Sequence, residues 1–170
     1  MTTAPALPEP GAASVEDRVQ ISLRLIQHAR EELDREDRLQ ATEKVWGALA
    51  QMLKAHGQLR GWMNLGSHRT VGRIAQHLGV EYPEIPVLNA YIAADNGHRN
   101  FYDNEMSRPE IEGIITVVSS VLPELERALA EPPRPFSIND VDQRWRVRML
   151  TGRQDLQVGD TSQTGFSNTH

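Results

Sequence analysis

The stretch DRLQATEKVWGALAQML, Asp37 to Leu53, decides the fold. Leu39, Thr42, Trp46, Leu49 and Leu53 recur at steps of three and four residues, and Ala41, Val45, Ala48 and Met52 form a second line beside them. Two adjacent lines make a broad apolar face, which a helix needs when neighbours surround it on several sides. This helix is therefore read as the centre of an all-α domain. Asp37 suits its N-cap, with Gln40 in the capping-box position three residues on. Gly57 is read as its end and Gly61 as part of the loop beyond.

Similar signals extend in both directions. Ser14 caps a first helix through Val15, Val19, Leu23, Ile26, Ala29 and Leu33, ending near Arg35. Ser67 or the residue beside it opens a shorter helix through Val71, Ile74, Ala75 and Leu78 that Gly79 closes, and Pro86 starts a fourth through Val87, Leu88, Tyr91, Ile92, Ala94, His98, Phe101 and Tyr102. Ser107-Arg108-Pro109-Glu110 joins a serine cap, an early proline and a glutamate three residues after the cap. The fifth helix follows through Leu129, with a kink expected at Pro123. The expected fold is an antiparallel bundle of four to five helices with a short extra C-terminal helix.

The organisation follows from composition. Residues 1–13 are rich in Pro and Ala and read as a disordered arm, 14–131 as the bundle and 132–136 as a proline-rich spacer. Residues 137–152 read as a short basic amphipathic helix, and 153–170 as a disordered tail. That helix would dock an edge of Ile138, Val141 and Trp145 and expose Arg144, Arg146 and Arg148. The 170 residues contain no cysteine, which removes disulfides and thiolate chemistry and fits a cytoplasmic setting. No window is apolar enough for a membrane span, and the net charge of −5 gives no global attraction to nucleic acid.

Candidate chemistry gathers around the central helix and its loop. Trp46 falls on the apolar line and reads as core, with Gly47 beside it admitting a close neighbour. Trp62, His68 and Arg69 follow a glycine in a loop, where side chains meet solvent, and are the candidate ligand-binding residues, with a packed loop tryptophan as the favoured reading of Trp62 itself. The six histidines show no metal-ligand spacing, so no metal and no cofactor is expected.

These residues also carry a resemblance. Gln40-Ala41-Thr42-Glu43-Lys44-Val45-Trp46-Gly47-Ala48, then Arg60-Gly61-Trp62, Ser67-His68-Arg69 and His98-Arg99-Asn100-Phe101-Tyr102, resemble the PaREP1-like group of the HEPN superfamily over about residues 15 to 130. The resemblance implies a helical bundle that pairs into a homodimer, with RNA, a nucleotide or a nucleotidyltransferase as possible partners.

Cleaving HEPN proteins carry an arginine followed by a histidine after four to six intervening residues. Here Arg24 and Arg73 have three residues before the next histidine, Arg60 and Arg69 have seven, and Arg99 has none in range. The sequence therefore favours a non-catalytic protein acting by binding. The alternative is a degenerate ribonuclease or nucleotide-processing protein in a toxin–antitoxin or defence setting, with His98, Arg99, Asn100 and Tyr102 as its catalytic residues.

Overall fold

The computed structural model describes residues 13–162. Five long helices form an antiparallel bundle: α1 (Val15–Asp34), α2 (Arg38–Leu59), α3 (His68–Glu81), α4 (Val87–Asp103) and α5 (Arg108–Leu129). A short helix α6 (Val141–Thr151) follows, and a two-stranded antiparallel ribbon joins β1 (Phe136–Ser137) to β2 (Thr161–Ser162). The fold class expected from the sequence is the one observed. Among the described residues, no helix is long and apolar enough to cross a membrane.

The caps set the helix starts. The Ser14 hydroxyl accepts from the Asp17 amide at 3.0 Å while the Asp17 carboxylate accepts from the Ser14 amide at 2.9 Å, a reciprocal box that holds the Asp17 carboxyl below its usual range. Ser107 and Glu110 form the same arrangement at the head of α5. At α2 only half of the expected box exists, because Asp37 accepts from the Gln40 amide at 3.0 Å with no return bond from the Gln40 side chain.

As the broad face of its sequence requires, α2 lies against α1, α3, α4 and α5. Ala41, Val45, Ala48, Leu49, Met52 and Leu53 are fully enclosed. Gly47 sits where a side-chain carbon would stand 3.1 Å from Leu25 Cδ1 of α1. Trp46 departs from the expectation. It is only partly buried, although Thr42, Leu49 and Leu53 on its own line are enclosed, and its ring packs against His68, Tyr91 and His98.

Two helix ends lie further along than the glycines indicate. Gly57 is interior to α2, where a side-chain carbon would come within 2.6 Å of Leu65 Cδ2. The stop is instead Gly61 at φ 71°, with the Gly61 amide donating to Gln58 O at 3.1 Å and the Trp62 amide to Gly57 O at 2.9 Å. That pair of bonds is the Schellman pattern, in which the residue after the left-handed glycine folds back on the helix. Likewise α3 runs past Gly79 to Glu81 and ends before Pro83, whose ring disfavours helical backbone at the residue preceding it. Pro123 lies inside α5, which continues through it to Leu129.

The C-terminal segment differs most from expectation. α6 begins at the Asp140 cap rather than at Ser137, and Ile138 belongs to the ribbon side, its amide donating to Asp160 O at 2.8 Å. With Ile138 outside the helix, Val141 and Trp145 lose the residue that would have anchored their edge, and they are 61% and 54% exposed. The docked face is Arg146, Val147, Leu150 and Thr151. Residues 153–162 are mostly exposed but anchored, with Leu156 and Ser162 buried. Leu156 is buried with Phe136, Ile138 and Val147, and Arg148 donates to the carbonyls of Gln154 and Leu156 at 2.9 Å each. Residues 1–12 of the expected arm 1–13, and 163–170 of the expected tail, lie outside the described residues.

Candidate functional site

The site draws on α2, the first residue of α3, and α4. Ser67 caps α3, accepting from the Thr70 amide at 3.1 Å, and this places His68 at the helix start beside Trp46. The Trp46 and His68 rings stack with centroids 4.5 Å apart. His98 of α4 stacks on Trp46 at 5.1 Å and on His68 at 5.3 Å, so three nearly parallel rings form a triangle. Tyr91, two turns earlier on α4, tilts against Trp46 at 5.9 Å. Gly72 makes room for it, since a side-chain carbon there would stand 2.8 Å from the Tyr91 hydroxyl oxygen. Burial, with the Asp95 charge second, pushes the Tyr91 phenol above its usual range.

Each imidazole has its own carboxylate. His98 Nδ1 lies 2.8 Å from Glu43 Oε1, and His68 Nε2 lies 2.9 Å from Asp95 Oδ1. A carboxylate only accepts, so in each pair the ring nitrogen carries the proton and the tautomer is set by its partner. The outward nitrogens, His98 Nε2 and His68 Nδ1, have no hydrogen-bond partner among the described residues. Asp95 also binds Arg99 through its second oxygen at 3.1 Å, leaving the guanidinium largely in solvent. A planar ring can stack here, an anion can meet Arg99, and an oriented imidazole can take or give a proton. Among the described residues no group of three or more side chains is placed to hold a metal ion.

The residues singled out from the sequence separate in space. His68, His98 and Arg99 come together, and Arg69 lies next along α3, exposed. Asn100 turns away, its Oδ1 accepting from the Glu105 and Met106 amides at 2.9 Å each, so it shapes the α4–α5 loop. Tyr102 is 81% exposed. Trp62 is 5% exposed, against His77 and Arg60 rather than at the ring triangle. Sequence reasoning missed Trp46, Glu43, Asp95 and Tyr91 as members of the site. A signal for the carboxylates exists: Glu43 precedes Trp46 by three positions and Asp95 precedes His98 by three, the spacing of neighbours on a helix face.

A second polar group, wholly enclosed, holds the bundle instead. Arg60 at the α2 C-cap pairs with Glu81 at 2.6 Å and reaches the Tyr82 hydroxyl at 3.3 Å. Arg60 Nη1 also donates to His56 Nδ1 at 2.9 Å, which leaves His56 Nε2–H to donate to Leu125 O at 2.8 Å. Burial, with the Arg60 charge second, lowers His56 to about 3, so the ring is neutral.

The model of the archaeal PaREP1/PaREP8 family matches residues 17–122, which include all the residues of the ring triangle and its carboxylates and stop short of the C-terminal ribbon and α6. No curated protein and no solved structure gives a match. The family match covers well over half of the chain, and the chain belongs to the archaeal PaREP1/PaREP8 family.

Proposed function

We propose that the protein acts by binding, and that the ring face of Trp46, His68 and His98, with Arg99 at its edge, receives a nucleotide or a short single-stranded RNA segment. The observation that carries this reading is the triangle of near-parallel, partly exposed rings beside a solvent-facing guanidinium. Base stacking on an aromatic side chain is worth about 1–3 kcal/mol, and arginine adds phosphate contact. The chain's net negative charge favours such a short contact over a long electrostatic track.

The resemblance to HEPN proteins adds a homodimer and a nucleotidyltransferase partner to this proposal, in a cytoplasmic setting. Light scattering on a size-exclusion column tests the dimer, and a monomer at micromolar concentration excludes it. For the ligand, a ribonucleotide series and a short single-stranded RNA are titrated against tryptophan fluorescence. Trp46→Ala is expected to weaken binding by the stacking contribution, about 1–3 kcal/mol. An unchanged dissociation constant in that variant sinks the reading.

One observation favours a second reading. Two carboxylate-held imidazoles 5.3 Å apart form the arrangement of a general acid and a general base, which phosphodiester cleavage beside a ribose 2′-hydroxyl requires. His98 and Arg99 belong to it, while the positions of Asn100 and Tyr102 add nothing to it. Incubation with total RNA separates the two readings. Cleavage lost in both His68→Ala and His98→Ala supports the ribonuclease, and intact RNA that still binds supports the binding protein.

A further inference from the structure

His77, in the second half of α3, faces the C-terminal segment. It is fully enclosed, and neither ring nitrogen has a hydrogen-bond partner among the described residues. Its ring meets Trp62 edge-on at 4.8 Å from the bundle side and Phe136 of β1 at 4.5 Å from the C-terminal side. The charged groups acting on it are both cations: Arg146 from α6 and Arg60 from the end of α2. Glu81 pairs with Arg60, whereas Arg146 has Gln76 Oε1 at 3.4 Å and feels Asp140 and Asp142 from the start of its own helix.

We propose that His77 is a proton-operated latch, and that protonation of its ring undocks the segment from Phe136 to Ser162 from α3. A third cation beside two arginines, with no acceptor at either nitrogen, is relieved most directly by separation, because Phe136 and Arg146 both belong to the segment that leaves. That segment can move as a body. It has its own small core of Phe136, Ile138, Val147 and Leu156, and it meets the bundle chiefly along α3. Among the described residues, its other contacts include Arg73 over Trp145, the Met63 amide on Leu150 O and Leu150 in the bundle core, while Arg134 on Glu84 anchors the chain just before it.

The direction of the pH effect follows from linkage. Burial lowers His77 to about 3 from the ordinary 6.5, so the ring is neutral when docked and takes a proton when released. Docking is therefore complete above pH 6.5 and weakens as pH falls toward 3. The ratio of released to docked forms rises roughly tenfold per pH unit in that window.

Amide exchange on the full chain between pH 7.5 and 5, corrected for the intrinsic rate, tests this. Residues 138–156 should lose protection by that factor while remaining less protected than the interior of α2. His77→Phe, which keeps an aromatic edge and cannot take a proton, should flatten the slope in 138–156. His56 also resists protonation but lies among bundle helices, so its effect belongs to global opening and persists in His77→Phe. A slope in 138–156 that survives His77→Phe overturns the latch, as does equal protection of 138–156 and α2 at every pH. Should His77→Phe not fold, the wild-type series still decides: a flat profile in 138–156 overturns the proposal, and a regional loss confined to that segment supports it.

Discussion

Glu81→Leu is expected to destabilise the protein by about 3–5 kcal/mol, the usual result of removing one partner of a buried ion pair. The pair is Arg60 Nη2 on Glu81 Oε2 at 2.6 Å, with side chains 1% and 0% exposed. Without the carboxylate, the guanidinium keeps the Tyr82 hydroxyl and neutral His56, neither of which carries compensating charge. The energy lost is mainly the cost of a stranded cation, so removing the cation as well should restore much of it. Arg60→Met combined with Glu81→Leu is expected to be more stable than Glu81→Leu alone. Urea titration of the two variants measures the difference. A single variant within 1 kcal/mol of the parent would mean that water or a rearranged Arg60 meets the charge.

The second large effect concerns the tryptophans. Trp62→Ala should cost about 3–5 kcal/mol as a truncation inside the core, and Trp46→Ala clearly less, because Trp46 keeps part of its ring in solvent. This ordering is opposite to the one that helix periodicity indicates. Trp62→Phe should be milder than Trp62→Ala, since the indole nitrogen has no hydrogen-bond partner among the described residues. Denaturant midpoints for the three variants settle the order, and equal losses for Trp46→Ala and Trp62→Ala would contradict the burial described.

The reversal shows where a sequence is legible. Periodicity finds the faces of α1, α2 and α5, because each helix repeats its apolar residues over many turns. It does not resolve a single position within a line: Thr42, Leu49 and Leu53 are enclosed, whereas Trp46 on the same line is only partly buried. Trp62 was readable by another rule. A glycine followed by a large apolar residue is the signature of a Schellman end, in which the apolar residue folds back on the helix, and the Trp62 amide indeed donates to Gly57 O at 2.9 Å. In the candidate site, the histidines were visible as residue types. Their carboxylates stood at helical spacing from Trp46 and His98, but which acid faces which ring was not visible, because it depends on how α2, α3 and α4 lie together.

The C-terminal helix failed for a similar reason. Ile138, Val141 and Trp145 share a face only if one helix contains all three, and the Asp140 cap starts the helix after the first of them. A cap one turn later than assumed moves the docked face from Val141 and Trp145 to Val147 and Leu150. The arginines then serve internal needs: Arg148 closes the loop to Leu156, and Arg153 pairs with Asp155.

The small residues of α2 set a limit on how this protein can change. Ala41, Ala48 and Ala55 are wholly enclosed, and the alanine-sized spaces at Gly47 and Gly57 are already filled by Leu25 and Leu65. A helix with small residues on its enclosed faces lets four others come close to one axis, yet it leaves no room on those faces for a larger residue. Growth in side-chain volume along this helix must be matched by shrinkage on a neighbour at the same time, so α2 and its contacts can diverge in pairs but not one residue at a time. Variation in size is thereby pushed to the outer faces of α1, α4 and α5, and the middle of the bundle stays narrow.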